Sequence, residues 1–110
     1  MAEPLVRSGR VARLETRGRR SGRRRVVAVG FVDGQGGSLL VAAASPTADW
    51  ARNLAAHPHA LVTVAERTWP VVAEPLDGAE HADAVRELIL KYGTPSERLG
   101  RGPSFRLRPT

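Results

Sequence analysis

The sequence contains no cysteine, a single lysine and few aromatic residues. Without cysteine, this 110-residue chain has no disulfide, no thiolate chemistry and no cysteine-ligated zinc or iron–sulfur cluster. Aromatic residues make up 5% of the chain, too few for the stacking platforms on which single-strand nucleic-acid binders hold bases. No RNP-like or zinc-finger pattern occurs. We therefore expect no nucleic-acid partner.

Long apolar runs are also missing. No stretch approaches the roughly 18 apolar residues that a membrane span needs. Arginines follow the first six residues where a signal peptide would have an apolar run. We therefore expect a cytoplasmic protein without a membrane span. The length suits one domain, and we predict a flexible N-terminus over residues 1–10 and a single domain over residues 11–110.

Positive charge is what the sequence has in excess. The formal net charge is +6. Apart from the histidines and Lys91, every basic residue is an arginine. Six arginines fall within residues 17–25, beside Gly18 and Gly22. Glycines allow a tight turn with outward N–H groups, and guanidinium groups bind phosphate and carboxylate. The segment predicts an anion-binding loop, with a solvated basic loop or a nucleic-acid patch as the alternatives.

The pattern of apolar residues and turns predicts the order β-β-β-α-β-β-α-β. Strands that follow one another as hairpins favour a small antiparallel barrel of the mainly β (α+β) class over a Rossmann sheet. Ser45 is expected to cap the first helix, Asp77 and Glu80 to form a capping box on the second, and Gly93 to end it. The predicted strands are residues 11–16, 25–33, 38–44, 60–65, 68–74 and 104–108, the last at an edge of the sheet.

Reactive side chains are scarce. No nucleophile elbow and no close pair of carboxylates is evident. His57 and His59 flank Pro58 without a nearby carboxylate cluster, so a helix-ending loop is favoured over a metal site, and no metal is expected. An anion-binding loop in a chain without reactive groups is typical of a protein whose cofactor does the chemistry.

Two motifs resemble a known family. Residues 16–22, followed by Arg25 and a valine-rich strand, resemble the Thr-x-Gly-Arg/Lys-Lys-Ser/Thr-Gly-x-x-Arg motif of deazaflavin-dependent nitroreductases. Residues 43–45 and 50–54 are similar to that family's Ala-Ser and Trp-Tyr-x-Asn-Leu block, and residues 57–64 to the segment that follows. The similarity covers residues 11–76 well.

The resemblance implies a split β-barrel like that of FMN-binding proteins, with coenzyme F420 as cofactor. It implies hydride transfer from the reduced deazaflavin to a nitroaromatic, a quinone or an activated alkene. Tyr92, the only tyrosine, would donate a proton, with solvent as the alternative source. The cofactor's phosphate and oligoglutamate tail would be held by Arg19, Arg20, Ser21, Gly22 and Arg25. Its ring would meet Val29, Gly30, Ala44 and Ser45, and Trp50 and Asn53 would wall and anchor the cofactor.

The sequence also departs from the family pattern. Residues 46–49 form a shorter loop than usual, Gly30 replaces an aromatic residue, and the N-terminal helical lid is expected to be missing. The alternatives are an FMN-binding split-barrel protein, a non-catalytic F420-binding or carrier protein, and a nucleic-acid-binding module. For the reductase we expect a small-molecule substrate, and either a monomer or a homodimer.

Overall fold

Seven antiparallel strands form one curled sheet in the computed structural model, which describes residues 3–110 apart from the side chains of residues 94–97. Three helices accompany the sheet, and short 3-10 segments lie at Gln35–Gly37 and Thr94–Arg101. The mainly β class is confirmed. In chain order the elements are α1 (Glu3–Arg7), β1 (Ala12–Arg17), β2 (Arg24–Val29), β3 (Val32–Asp33), β4 (Leu39–Ala42), α2 (Asp49–Ala56), β5 (His59–Val64), β6 (Arg67–Leu76), α3 (Gly78–Tyr92) and β7 (Ser104–Pro109).

The order of the strands closes the sheet into a barrel. The strands run β2-β1-β5-β6-β7-β4-β3, so β2 and β3 are the two edges. Only residues 30–31 separate the end of β2 from the start of β3. Because consecutive Cα atoms are about 3.8 Å apart, such a short link holds the two edges close together. The result is a barrel split along one seam, which confirms the predicted split β-barrel.

The core lies inside this barrel. Successive side chains of a strand point to opposite faces, and on β1 the buried Ala12, Leu14 and Thr16 alternate with half-buried polar residues. Leu14 pairs with Val62 of β5, which is also fully buried. Burying side chains of this size stabilises the fold by roughly 1.5–3 kcal/mol each.

The helices cover different strands of the barrel. α2 packs against β1 and β6 and buries Ala51 and Leu54. Its Trp50 ring lies 6.2 Å, centroid to centroid, from the Phe105 ring of β7. α3 packs against β3, β4 and β7 and buries Leu88. α2 thus lies beside β1, the strand that leads into the arginine-rich segment.

Where tertiary contacts compete with local signals, the structure differs from the sequence-based predictions. The predicted strand over residues 25–33 is broken at residues 30–31, because the chain there crosses from one sheet edge to the other. β7 was predicted to be an edge strand, which is wrong, since it pairs with β4 on one side and β6 on the other.

Both helices also begin differently from the predictions. The hydroxyl of Ser45 contacts Thr47, so the chain makes a turn there and α2 starts only at Asp49. Asp77 stands at the N-cap of α3 but makes no capping hydrogen bond. Its predicted partner Glu80 accepts a hydrogen bond of 2.6 Å from Arg106 instead. That bond is the main cause of the raised pKa of Arg106. Gly93 ends α3 as predicted.

The N-terminal segment contains an element that the sequence did not indicate. Glu3–Arg7 forms the five-residue helix α1, and the absence of the family's N-terminal helical lid stays a prediction. Val6 is buried, and its carbonyl accepts a hydrogen bond of 2.8 Å from the N–H of Ala65. The predicted flexible segment, residues 1–10, is thus helical in part, and its residues 1–2 lie outside the described residues. α1 is anchored to the β5–β6 turn.

The β5–β6 turn generates a prediction about stability. Ala65 has φ 56° and is the only non-glycine residue with positive φ among the described residues. A non-glycine residue in this left-handed region destabilises the fold by about 1–2 kcal/mol. Glycine avoids this cost, but part of the gain is lost because glycine loses more backbone entropy on folding. Ala65→Gly is therefore expected to raise the free energy of unfolding, measured in denaturant, by about 0.5–1 kcal/mol. Ala65→Val, with a branched side chain at the same φ, is the control and should lower it; a lower stability of the glycine variant would contradict the prediction.

Candidate functional site

The connection between β1 and β2 is a rigid turn, here called the arginine loop (residues 18–23). The N–H of Gly18 donates to the carbonyl of Arg23 at 2.8 Å, and that of Gly22 to the carbonyl of Gly18 at 2.9 Å. Ser21 Oγ accepts a further bond of 3.1 Å from the N–H of Arg23. A Cβ on Gly18 would lie 2.9 Å from Ser21 Oγ and 3.6 Å from Arg25 Nε. Only glycine leaves room at residue 18 for this close packing.

The arginine loop borders a cavity of about 580 Å³. The cavity lies between this loop, the adjoining ends of β1 and β2, and the first turns of α2. Its polar lining consists of Thr16, Arg19, Arg20, Ser21, Arg25, Asp49 and Asn53. The other lining residues are Gly18, Val26, Val27 and Trp50.

Two arginines give the cavity a positive end. Arg20 and Arg25 are both exposed, and neither forms an ion pair with any residue that the structure describes. Their guanidinium groups are available to phosphate or carboxylate oxygens. Val26, Val27 and Trp50 form an apolar wall in the same cavity. A ligand that carries both an anionic group and a flat apolar part matches this division.

The third arginine of the lining is already engaged. Arg19 Nη1 donates to Asn53 Oδ1 at 2.8 Å, and Arg19 Nη2 donates to Asp49 Oδ1 at 3.2 Å. The backbone N–H of Arg19 also donates to Asn53 Oδ1, at 3.1 Å. These three bonds attach the arginine loop to the first two turns of α2.

The structure brings about half of the predicted site residues together. Arg19, Arg20, Ser21, Arg25, Trp50 and Asn53 all line the cavity. Gly22 lies in the same loop, with φ 71°. Val29, Gly30, Ala44, Ser45 and Tyr92 are not part of the lining.

Tyr92 is held at the seam of the barrel. Its hydroxyl donates to the carbonyl of Arg10 at 2.7 Å and accepts from the N–H of Phe31 at 3.0 Å. A Cβ on Gly30 would lie 2.9 Å from Tyr92 Cε2, so the glycine that replaces the family's aromatic residue makes space for this ring. Tyr92 thus joins α3 to the residues that link β2 and β3.

Two polar residues of the lining were missed by the sequence analysis as site residues. Asp49 stands in the first turn of α2 and was read as part of a loop. Thr16 is 2% exposed, and its Oγ1 is a buried atom with no hydrogen-bond partner among the described residues. The signal for Thr16 was present, because it continues the inward alternation of Ala12 and Leu14 on β1. This hydroxyl is therefore an unpaired polar group in the core next to the cavity, and it is expected to cost stability.

Among residues 3–110, no helix has the length and apolar character needed to cross a membrane. The described residues also contain no group of three metal-ligating side chains.

Comparisons with known proteins give a family and a fold. The model of the F420H2-dependent quinone reductase family matches residues 4–98. No curated protein matches the chain. A solved F420-H2 dependent reductase, FDR-A, is 21% identical with a TM-score of 0.75, over 90% of this chain and 94% of that one. An F420 reductase is 22% identical with a TM-score of 0.68, over 98% and 92%.

The same fold also occurs in HutZ, the heme storage protein from Vibrio cholerae. It is 20% identical, with a TM-score of 0.74 over 98% of this chain and 87% of that one. At such identities the solved structures establish the split barrel alone, and the barrel does not specify a ligand. The family match carries the functional information.

The unpartnered hydroxyl of Thr16 leads to a prediction. Because burying an unsatisfied hydroxyl costs about 1–3 kcal/mol, Thr16→Val should raise the free energy of unfolding of the ligand-free protein by about 1 kcal/mol. Thr63→Val is the matched control on the same sheet, since Thr63 Oγ1 lies 2.8 Å from Thr68 Oγ1 and its replacement breaks a hydrogen bond. Equal losses of stability in both variants would show that Thr16 has a partner.

Proposed function

The chain belongs to the F420H2-dependent quinone reductase family, and we propose that it binds coenzyme F420 in the cavity between the arginine loop and α2. Family membership makes it an F420H2-dependent oxidoreductase with F420 as its cofactor. The placement of the cofactor rests on one observation: Arg20 and Arg25 have no acidic partner among the described residues, and they share a cavity with an apolar wall.

The positive end of the cavity suits the anionic part of the coenzyme. F420 carries a phosphate and an oligoglutamate tail, so its anionic groups match the guanidinium groups of Arg20 and Arg25. Ser21 and the adjoining loop residue Gly22 are proposed to contact the phosphate as well. The turn is already closed by backbone hydrogen bonds, so little conformational entropy is lost when the anion binds.

The apolar wall suits the ring. Trp50, Val26 and Val27 supply the apolar part of the cavity lining, and we propose that contact with it orients the ring and shields part of it from water. Reduced F420 supplies a hydride when bound, and a quinone that takes this hydride and one proton becomes the hydroquinone. The protein's own contribution is binding and orientation.

The acceptor is proposed to be a small electron-poor molecule: a quinone first, with nitroaromatics and activated alkenes as further candidates. Tyr92 is bound at the barrel seam and does not line the cavity, so we propose that solvent supplies the proton. The compartment proposed is the cytoplasm, and the enzyme is proposed to act as a monomer or a homodimer.

A titration followed by turnover tests the function. The purified protein is titrated with F420 and with FMN, and binding is followed by the fluorescence of each coenzyme. It is then mixed with F420H2 and a soluble quinone, and the return of the oxidised coenzyme's absorbance is recorded. We expect binding of F420 and faster oxidation of F420H2 than without protein. Preferential binding of FMN would favour a flavin-binding barrel, and F420 binding without turnover would indicate a carrier.

Replacing the two unpaired arginines should weaken coenzyme binding. A charge-assisted hydrogen bond contributes about 1.5–3 kcal/mol, so Arg20→Ala/Arg25→Ala should raise the Kd for F420 at least about tenfold. The midpoint of thermal unfolding should not change, because both side chains are exposed. Arg17→Ala/Arg23→Ala removes the same charge from exposed residues outside the cavity lining and serves as the control. Equal losses in the two double variants would mean that net charge alone attracts the coenzyme.

A further inference from the structure

Arg19 differs from the other two cavity arginines in what its guanidinium group contacts. Its two terminal nitrogens donate to Asn53 Oδ1 and Asp49 Oδ1, and its side chain is 22% exposed. A planar guanidinium that already donates to two acceptors has fewer N–H groups left for a ligand. These contacts therefore favour a role that Arg19 exerts through Asn53 and Asp49.

The contacts of Arg19 determine how the Asn53 amide is oriented. Asn53 Oδ1 accepts two hydrogen bonds, from Arg19 Nη1 and from the Arg19 backbone N–H, which identifies this end of the amide as the oxygen. The other end of the amide, Nδ2, makes no hydrogen bond with a described residue. It is not fully buried. Because Asn53 lines the cavity and its Nδ2 has no partner among the described residues, the cavity is where Nδ2 would find an acceptor.

The contacts of Arg19 also neutralise a charge. Asp49 is part of the cavity lining and its side chain is 83% exposed. An unpaired carboxylate here would repel a phosphate or a glutamate tail. The ion pair with Arg19 at 3.2 Å offsets that charge, which leaves Arg20 and Arg25 as the net positive charge of the lining.

From these contacts we infer that Arg19 is a positioning residue: it holds the Asn53 amide so that Nδ2 donates to the anionic part of the coenzyme, and it neutralises Asp49. The inference deepens the proposed function and rests on it. It removes Arg19 from the set of direct phosphate contacts implied by the family motif, and it assigns direct contact to Asn53.

A charge-neutral exchange separates positioning from direct contact. Arg19→Gln/Asp49→Asn replaces an ion pair by two amides, keeps the net charge, and leaves the backbone N–H of Arg19 on Asn53. The exchange loses the Arg19 Nη1 bond to Asn53 Oδ1, so we expect its Kd for F420 to rise about threefold, whereas Arg20→Gln should raise the Kd at least about tenfold. A Kd equal to that of the wild type would show that the Arg19 side chain does not position Asn53. The salt dependence of the Kd should be unchanged in the first variant and weaker in the second. Equal losses in the two variants would overturn the inference.

A second variant tests the donor. Asn53→Asp keeps an oxygen that accepts from Arg19 but removes Nδ2, and it puts a negative charge beside the coenzyme. We expect a midpoint of thermal unfolding no lower than that of the wild type, together with a Kd for F420 raised at least about tenfold. A stable variant that binds F420 as well as the wild type would overturn the role of Nδ2. A purely structural role of Asn53 would lower stability and affinity together.

Failure of the proposed function and failure of the positioning role would give different results. If the wild-type protein binds no F420, the proposed function falls and the inference falls with it. If the wild type binds F420 and the charge-neutral exchange loses as much affinity as Arg20→Gln, the proposed function stands and the positioning role is wrong.

Discussion

The structure depends on a constraint at the seam of the barrel, where only residues 30–31 carry the chain from one edge strand to the other. Backbone groups at such a gap lose their neighbours in the sheet and need other partners. The C-terminal end of α3 supplies them: the Tyr92 hydroxyl accepts from the N–H of Phe31, and Lys91 Nζ donates to its carbonyl at 2.7 Å. Lys91 Nζ also lies 3.8 Å from the centroid of the Phe31 ring, a cation–π contact. Closure of the barrel thus depends on α3.

Closure at the seam leaves α2 and the arginine loop to form the proposed binding site elsewhere on the barrel. Two backbone hydrogen bonds close the loop, and Arg19 attaches it to α2. A site assembled before its ligand arrives loses less conformational entropy on binding. That suits the proposed role, in which the protein holds a redox coenzyme in one orientation.

The three arginines of the cavity lining have different neighbours, which is why different roles are proposed for them. Arg20 and Arg25 have no acidic neighbour among the described residues and can meet an anion, whereas Arg19 meets Asp49 and Asn53. Arginine is suited to both tasks, because its planar fork binds an anion or bridges two oxygen acceptors. The fold shared with a heme storage protein shows that the barrel alone does not specify the ligand, so we propose that local contacts such as these set the specificity.

By itself, the sequence determined the mainly β class, the hairpins, the glycine that ends α3, the clustering of six arginines within residues 17–25 and the family. Each of these follows from neighbours in the chain: alternation, turn residues and short motifs. Only the tertiary structure decided that β7 lies inside the sheet, that Glu80 meets Arg106, that Tyr92 supports the seam and that Arg19 contacts Asp49 and Asn53. These contacts join residues far apart in the chain. They depend on strand register and helix packing, which local patterns do not specify.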